Sequence, residues 1–261
     1  MTWRRATDAL PALLLLAAVV GAWELYVDLG GVDPALLPAP HSVASATWEN
    51  ADLLWKNFAI TAKEVVLGLG LALLSGFAVA VAIHLWHPVR RAVYPPAVGS
   101  QAVPIAVIAP LLVFWWGFGI FPKLIVIALI CFFPVVVTTV DGLAAVDRDQ
   151  LKLLRTLDAS RWQAFRFAEL PAALPAALSG ARIAVAVGVI AAFIAESQTA
   201  TIGPYSGLGR EIVSDQSSLQ EPRAWAAATV LCLLAIACFY TLTLAERKLA
   251  PWTNQPTGDR P

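Results

Sequence analysis

Apolar residues fall into six long runs that are separated by polar segments. The runs are Leu10 to Leu29, Phe58 to Leu85, Tyr94 to Phe118, Leu124 to Leu143, Leu174 to Glu196 and Trp225 to Leu244. A bilayer span needs about 20 mostly apolar residues in a helix, so each run is long enough to cross a membrane. Pro104, Pro110 and Pro134 interrupt these runs, which a helix bundle tolerates. The pattern predicts an all-α, polytopic membrane protein with about six transmembrane helices, in a single domain over residues 1–261.

Composition supports a membrane protein and argues against several other classes. The chain is 59% hydrophobic and 14% charged, with a mean hydropathy of +0.70, which is too apolar for one water-soluble core. The 18 Lys and Arg residues balance 18 Asp and Glu residues, and no nucleic-acid partner is predicted. Cys131, Cys232 and Cys238 lie inside apolar runs without zinc-site spacing, so they are interpreted as packing residues and no metal is expected.

The distribution of basic residues predicts the orientation, because Lys and Arg concentrate in cytoplasmic loops. With a cytoplasmic amino terminus, the basic residues on the inner side are Arg4, Arg5, Arg90, Arg91, Arg148, Lys152, Arg155, Arg161, Arg166, Arg247, Lys248 and Arg260. Those on the outer side are Lys56, Lys123, Arg210 and Arg223. Both termini and the loop 147–171 are therefore assigned to the cytoplasm, and segments 30–57 and 197–222 to the outside of the inner membrane.

The first apolar run has two interpretations. Arg4 and Arg5 precede it, and Val20-Gly21-Ala22 resembles the small-residue cleavage site of a signal peptide. Its apolar stretch is long for a signal sequence, and the topology of the other runs favours a helix that is retained.

Two stripes of small residues recur every four positions. They consist of Gly68, Ala72, Gly76 and Ala80 in the second run, and of Gly180, Ala184, Gly188 and Ala192 in the fifth. Each stripe lets another helix approach closely. Tight packing within the chain is favoured, and a subunit interface or a pathway wall is the alternative.

Charged residues at membrane depth are costly unless they face protein or water. The candidates are Asp141, Arg182 and Glu196, with Lys63 and Glu64 near a helix end. Glu196 could belong to a pathway or gate, or could extend into interfacial water.

The loop 147–171 is the longest polar stretch between apolar runs, and it is patterned. Leu151, Leu154 and Leu157 recur at helical spacing, which predicts an amphipathic helix that ends near Asp158.

A second short helix is predicted between Ser160 and Pro171. Ser160 followed by Gln163 is the signature of a capping box, and Pro171 is expected to end the helix. Trp162 and Phe165 would be displayed together with Arg161 and Arg166. Aromatic and Arg side chains supply much of the energy of protein interfaces, so this helix is predicted to dock on a partner. A solvated loop that only fixes topology and a helix on the lipid surface are the alternatives.

The loop resembles the coupling-loop motif (EAA, then Gly, then Leu-Pro) of the type I permeases of ABC importers, and the resemblance is greatest to the nitrate, sulfonate and taurine permease group. The segments that carry the resemblance are Ala109-Pro110-Leu111-Leu112, Trp116-Gly117-Phe118-Gly119, Phe132-Phe133-Pro134, Ala159-Ser160-Arg161-Trp162-Gln163 and Glu169-Leu170-Pro171. Two positions depart from the motif. Lys152 stands where the acidic residue is usual, which puts any ion pair there in doubt, and Asp158 stands where the turn Gly is usual. Asp enters the left-handed conformation readily, so the second departure is tolerable.

The resemblance implies a type I permease fold with a cytoplasmic coupling helix, seated on a separate ATP-binding cassette ATPase. The coupling residues it implies are Asp158, Ala159, Ser160, Arg161, Trp162, Gln163, Phe165, Arg166, Glu169 and Pro171. It also implies a second copy of the chain, an extracytoplasmic solute-binding protein, and ATP-Mg on the partner rather than a cofactor on this chain. No phosphate-binding loop motif and no catalytic constellation occur in the sequence, so the chain is not expected to be an enzyme.

The sequence also suggests a translocation path and a class of substrate. The candidates for a translocation path near helix ends are Gln101, Trp115, Trp116, Glu196, Gln198 and Thr199, with an interfacial belt or packing as the alternative. Substrates within the resembling group include sulfonates, taurine, nitrate and the pyrimidine precursor of thiamine. Gln101-Ala102-Val103-Pro104 and the aromatic run that follows resemble the permeases for the last of these, so this resemblance implies the pyrimidine precursor. The rival functions are an ion-coupled secondary transporter that uses Glu196 or Asp141, and a membrane-embedded enzyme or assembly subunit.

Overall fold

The computed structural model describes residues 2–33, 35–99, 104–198 and 206–250, and every regular element in these ranges is helical. The elements are α1 (Thr2–Gly30), α2 (Pro40–Glu49), α3 (Ala51–Leu85), α4 (His87–Gly99), α5 (Ile105–Trp116), α6 (Ile120–Ala144), α7 (Arg148–Thr156), α8 (Arg161–Ala164), a π-turn (Phe165–Glu169), α9 (Leu170–Gln198), α10 (Leu208–Ser217) and α11 (Glu221–Leu249). Contacts divide the chain into two compact units. Unit 1 comprises residues 1–60 and 203–231, and unit 2 comprises residues 61–202 and 232–261.

The all-α, polytopic prediction is confirmed, with one change in the spans. Among the described residues, five helices are long and apolar enough to cross a membrane, in α1, α3, α6, α8 to α9, and α11. The third apolar run does not form one long helix. It is divided between α4, which ends at Gly99, and the shorter apolar α5, which begins after Pro104, a residue in an extended conformation.

Unit 1 is organised by a buried polar network near Asn57. The Asn57 Oδ1 atom accepts hydrogen bonds from the backbone N–H groups of Ser206 and Gly207, each 3.1 Å long. Arg223 binds the buried carboxylate of Asp215 and lies 3.6 Å from Glu211. Burial raises the pKa of Glu211, and the neighbouring Asp215 charge acts in the same direction, whereas Arg223 lowers it.

Unit 2 is built around α6, against which the small-residue stripe of α3 packs. A Cβ atom at Gly68 would lie 2.6 Å from Ile127 Cγ2. A Cβ atom at Gly76 would lie 3.0 Å from Val135 Cγ1 and 3.2 Å from the Phe132 carbonyl oxygen. The separation at Gly68 is shorter than real Cβ contacts, and those at Gly76 are tighter than ordinary van der Waals contacts, so the close approach of α3 to α6 depends on glycine at Gly68 and is favoured by glycine at Gly76.

The stripe of α9 packs against the same helix. A Cβ atom at Gly180 would overlap Thr138 and lie 2.9 Å from the Pro134 carbonyl oxygen, and one at Gly188 would lie 3.1 Å from Cys131 Sγ. The predicted tight packing within the chain is therefore confirmed for both stripes.

The cysteines differ in their surroundings. Cys131 is fully buried, and its thiol donates to the Ala184 carbonyl oxygen at 3.2 Å, as expected of a packing residue. Cys238 is half-buried. The packing interpretation is wrong for Cys232, which lies on an outward face of α11 and is exposed.

Gly180→Ala should destabilise the bundle because the added methyl group meets a backbone carbonyl that cannot move without bending α6. Overpacking of this kind costs about 1–3 kcal/mol. We expect a lower midpoint of thermal unfolding in detergent. Gly70→Ala is the matched control, since a Cβ atom at Gly70 meets nothing within 4 Å. Equal effects of the two substitutions would contradict the packing described above.

Candidate functional site

The loop 147–171 begins with the amphipathic helix that the leucine spacing predicts. Asp147 caps α7 by accepting a 2.8 Å hydrogen bond from the Asp149 N–H. The helix ends at Thr156, and the Ala159 N–H then donates to the Leu154 carbonyl at 3.0 Å. Asp158, in this turn, has a φ of 53°. The prediction that Asp158 can replace the turn glycine by adopting a left-handed conformation is confirmed.

The predicted capping box is present at the start of α8. The Gln163 N–H donates to Ser160 Oγ at 3.3 Å, and the Ser160 N–H donates to Gln163 Oε1 at 2.7 Å. The two bonds satisfy N–H groups that have no partner inside the helix, so they fix the direction in which α8 leaves the turn.

The two aromatic residues of the second helix have different environments. Trp162 is 62% exposed, whereas Phe165 is only 4% exposed. The prediction that both are displayed is wrong for Phe165, which packs with Leu143 and Ala173 because the turn directs it toward the bundle. The outward surface includes Trp162 with the exposed side chains of Arg161, Gln163 and Arg166, and Phe167 of the π-turn is exposed as well.

The helix does not end at Pro171 as predicted. It widens into the π-turn, where the Leu170 N–H donates to the Phe165 carbonyl five residues earlier, and it continues as α9. Pro171 lacks an N–H group and its ring crowds the carbonyl four residues before it, which a first turn and a widened helix both accommodate. The backbone from Arg161 to Gln198 is consequently one continuous helical segment.

Lys152, the charge-reversed position of the motif, lies on the exposed face of α7. Its ammonium group is 2.7 Å from Asp149 Oδ1. Both side chains are exposed, so this pair contributes little to stability.

A buried polar cluster lies in unit 2 at the end opposite the loop 147–171. Lys123 Nζ donates to Glu64 Oε1 at 2.8 Å, and Thr61 Oγ1 donates to Glu196 Oε1 at 2.7 Å. The Glu64 side chain also interacts with Glu196. All four residues are buried, and they join α3, α6 and α9.

Glu196 was a predicted site residue, and it is fully buried rather than extended into interfacial water. The reason is its position on the inward face of α9. Glu64 is also among the charged candidates that the sequence indicates, near a helix end, whereas Thr61 and Lys123 are not predicted as site residues. Lys123 was assigned to an outer loop, although it lies in the first turn of α6.

A signal for this cluster exists in the sequence. Glu64 lies four residues before Gly68, and Glu196 lies four residues after Ala192, so each extends a small-residue stripe by one step. Positions four apart share a helix face, so each carboxyl is predicted on the packed face of its helix.

Three of the remaining predicted path residues are exposed, unlike the members of the buried cluster. Trp115 and Trp116 are exposed at the end of α5, with ring centroids 6.1 Å apart, and Gln198 is exposed at the end of α9. Gln101 and Thr199 lie outside the described residues.

The other charged candidates have separate environments. Asp141 is exposed near the end of α6, and Lys63 is exposed on α3. Arg182 is paired with Glu246 of α11 within unit 2.

In the described part of the chain, one group has the ligand types of a metal site. Glu24, Asp28 and His41 place ligand atoms within 4.8 Å of one another in unit 1. The His41 ring is hydrogen-bonded to Glu24, which raises the pKa of His41.

Comparison with known proteins identifies close relatives. Residues 66–253 match the family described as binding-protein-dependent transport system inner membrane component. The chain is 32% identical over 233 residues to a probable ABC transporter permease protein of Haemophilus influenzae, covering 89% of this chain and 94% of that protein. It is also 32% identical over 253 residues to the formylaminopyrimidine transport permease protein ThiX of Halalkalibacterium halodurans, covering 97% and 99%.

A solved structure shares the fold. A chain of the MetNI methionine ABC transporter in an inward-facing conformation aligns with a TM-score of 0.63 at 17% identity, covering 79% of this chain and 99% of that one. The predicted type I permease fold is confirmed. The named relatives are permeases, in agreement with a chain that is not itself an enzyme, and this favours an importer over an ion-coupled transporter.

Lys123→Met should destabilise unit 2, because it leaves the Glu64 carboxylate buried without its counter-charge. Removing one partner of a buried pair costs about 3–5 kcal/mol. We expect a lower unfolding midpoint in detergent, with partial recovery when Glu64→Gln is added. Lys63→Met is the control on the exposed face of α3. A loss of equal size in both lysine variants would count against a specific role for the cluster.

Proposed function

This chain belongs to the family of inner-membrane components of binding-protein-dependent transport systems, and we propose that it is the permease of an ATP-driven importer whose loop 147–171 receives the motion of a separate ATPase. The observation that carries the proposal is the capped, outward-facing α8, whose backbone continues into the apolar α9. A force on α8 is therefore applied to a membrane helix without an intervening flexible segment.

The surface of α8 suits a protein partner. Trp162 is exposed although it is large and apolar, and Arg161 lies beside it. Trp and Arg are the residue types that most often dominate protein interfaces. Trp162 stacks on the buried Phe165 with ring centroids 5.5 Å apart, so the exposed ring is held by the bundle.

We assign the coupling role to the turn, α8 and the π-turn together. The residues are Asp158, Ala159, Ser160, Arg161, Trp162, Gln163, Phe165, Arg166, Glu169 and Pro171. Their parts differ: the outward residues would contact the ATPase, whereas Phe165 and Glu169 would transmit its motion inward. ATP-Mg would bind the ATPase, and its closure would bias the permease between two packings through contacts that differ between them.

The proposed topology places the loop and both termini in the cytoplasm, within one permease domain over residues 1–261. The excess of basic residues on that side supports it. Segments 30–57 and 197–222 would face a solute-binding protein that delivers substrate, and a second copy of the chain would complete the pathway. Trp115, Trp116, Glu196 and Gln198, with Gln101 and Thr199, remain the proposed path residues.

For the substrate we propose a small planar heterocycle of the formylaminopyrimidine type. The relative that carries this name matches almost the whole of both chains, which supports the same class here. Sulfonates, taurine and nitrate are the alternatives within the wider group.

The coupling proposal is tested by co-purification in detergent with the cognate ATPase. We expect the wild-type chain to retain the ATPase, and the double variant Trp162→Ala with Arg161→Glu to lose it, because the exposed aromatic anchor and the charge beside it are both removed. Loss of a central interface residue typically weakens binding by about 2 kcal/mol or more.

The matched control is Trp86→Ala with Arg90→Glu, which changes the same residue types at exposed positions outside the loop. All variants are first shown to be folded and membrane-inserted. Retention of the ATPase by the loop variant would contradict the docking surface, and failure of the wild type to bind any ATPase would contradict the importer.

The substrate proposal is tested by uptake into proteoliposomes that contain the permease, the ATPase and the binding protein. Radiolabelled formylaminopyrimidine should accumulate only with ATP, and unlabelled taurine in hundredfold excess should not compete. Competition by taurine, with no uptake of the pyrimidine, would move the assignment to the sulfonate group.

A further inference from the structure

The inward side of the loop 147–171 contains a polar contact with α3. His84 Nε2 lies 2.9 Å from Glu169 Oε2, and their side chains are 18% and 16% exposed. The two residues are 85 positions apart in the sequence, so the contact joins separate parts of unit 2. The spacing rules that identify α8 do not reveal it.

Helix geometry brings the two side chains together. His84 is in the last turn of α3, four residues after Ala80, and it therefore extends the inward-facing stripe of that helix. Glu169 is the last residue of the π-turn. The widened turn rotates the residues that follow it relative to an unbroken α-helix, so the position of Glu169 depends on this turn.

An apolar contact runs beside the polar one. Phe165 packs with Leu143 and Ala173, and Val81 and Leu85 of α3 pack against the same cluster. The His84 ring centroid lies 6.4 Å from that of Phe165. Together with the stacking of Trp162 on Phe165, these contacts form an unbroken path from the exposed face of α8 to the end of α3.

The polar contact adds resistance to separation that packing alone does not provide. If α3 moved away from the π-turn, a largely buried carboxyl and a largely buried imidazole would both lose their partner, which is unfavourable in an apolar environment. Sliding of apolar side chains past one another carries no comparable penalty. The pair therefore favours movement of α3 together with the loop.

We propose that His84 and Glu169 are positioning residues that link α3 to the coupling loop, so that a displacement of α8 moves α3 and α9 together. The inference rests on the proposed function, in which an ATPase displaces α8. It assigns the pair no contact with ATP or with the transported solute.

The test uses the reconstituted complex of permease, ATPase and binding protein, and measures substrate uptake and ATP hydrolysis in the same vesicles. With His84→Ala or Glu169→Ala, we expect the ATPase to remain bound and to hydrolyse ATP. Uptake per ATP hydrolysed should fall on the order of tenfold, as for the loss of a typical coupling interaction. The double variant should be no worse than either single variant, because both remove one contact.

His84→Gln should restore much of the ratio, since its amide N–H can still donate to the Glu169 carboxylate. His87→Ala is the matched control, because His87 is exposed at the start of α4. An unchanged ratio in both alanine variants would overturn the proposal. So would a purely structural effect, in which His84→Gln fails to rescue and ATPase binding, hydrolysis and uptake decline in parallel. A wild-type complex without bound ATPase or ATP-dependent uptake would instead refute the proposed function.

Discussion

The close approach of α3 and α9 to α6 is the constraint on which unit 2 depends. Gly68 and Gly76 allow the approach of α3 to α6, Gly180 allows that of α9 to α6, and Gly188 lies against both Cys131 of α6 and Leu69 of α3. In a bilayer the hydrophobic effect does not favour contact between helices over contact with lipid. Association of the helices therefore depends on packing and on the few polar contacts available. Glycine makes that packing possible by removing the side chain that would separate the backbones. The three helices consequently form the interior against which the loop and the polar clusters are positioned.

The same periodicity places polar residues at both ends of this interior. Continued by one step each way, the stripe of α3 reaches Glu64 at one end and His84 at the other. Each meets a partner from a different helix: Lys123 from α6, and Glu169 from the turn before α9. Burying any of these groups without a partner would cost free energy. Once paired, they disfavour any alignment of the helices that would separate the partners. The apolar stripe thus brings the helices together, and the polar residues fix their alignment along the axis.

The sequence predicts the local features well and the long-range ones poorly. The capping box at Ser160 and the left-handed turn at Asp158 follow from short-range backbone hydrogen bonding, which neighbouring residues determine. The burial of Phe165 does not, because it depends on Leu143 and Ala173 from two other helical segments. The hydropathy pattern places Lys123 in a loop for the same reason, because its burial depends on Glu64, 59 residues away. Pro171 was expected to end a helix, but a π-turn accommodates it, and nothing in local spacing distinguishes the two outcomes.

These features together determine how unit 2 can respond to a force on the loop. Because the helical backbone is continuous from Arg161 to Gln198, a displacement of α8 also moves α9. Through the glycine contacts α6 moves with α9, because backbones this close cannot slide past each other without overlap of their atoms. The contacts at Gly68 and Gly76 hold α3 to α6 in the same way, but beyond Gly76, at the loop end, α3 reaches the loop through side chains alone. If every helix were joined to the loop by continuous backbone, the bundle would move as a rigid body. If the helices were held by apolar packing alone, they would lose their alignment along the bundle axis. The contact between His84 and Glu169 is intermediate in strength. A modest change in the free energy of this contact would therefore alter which helices move together.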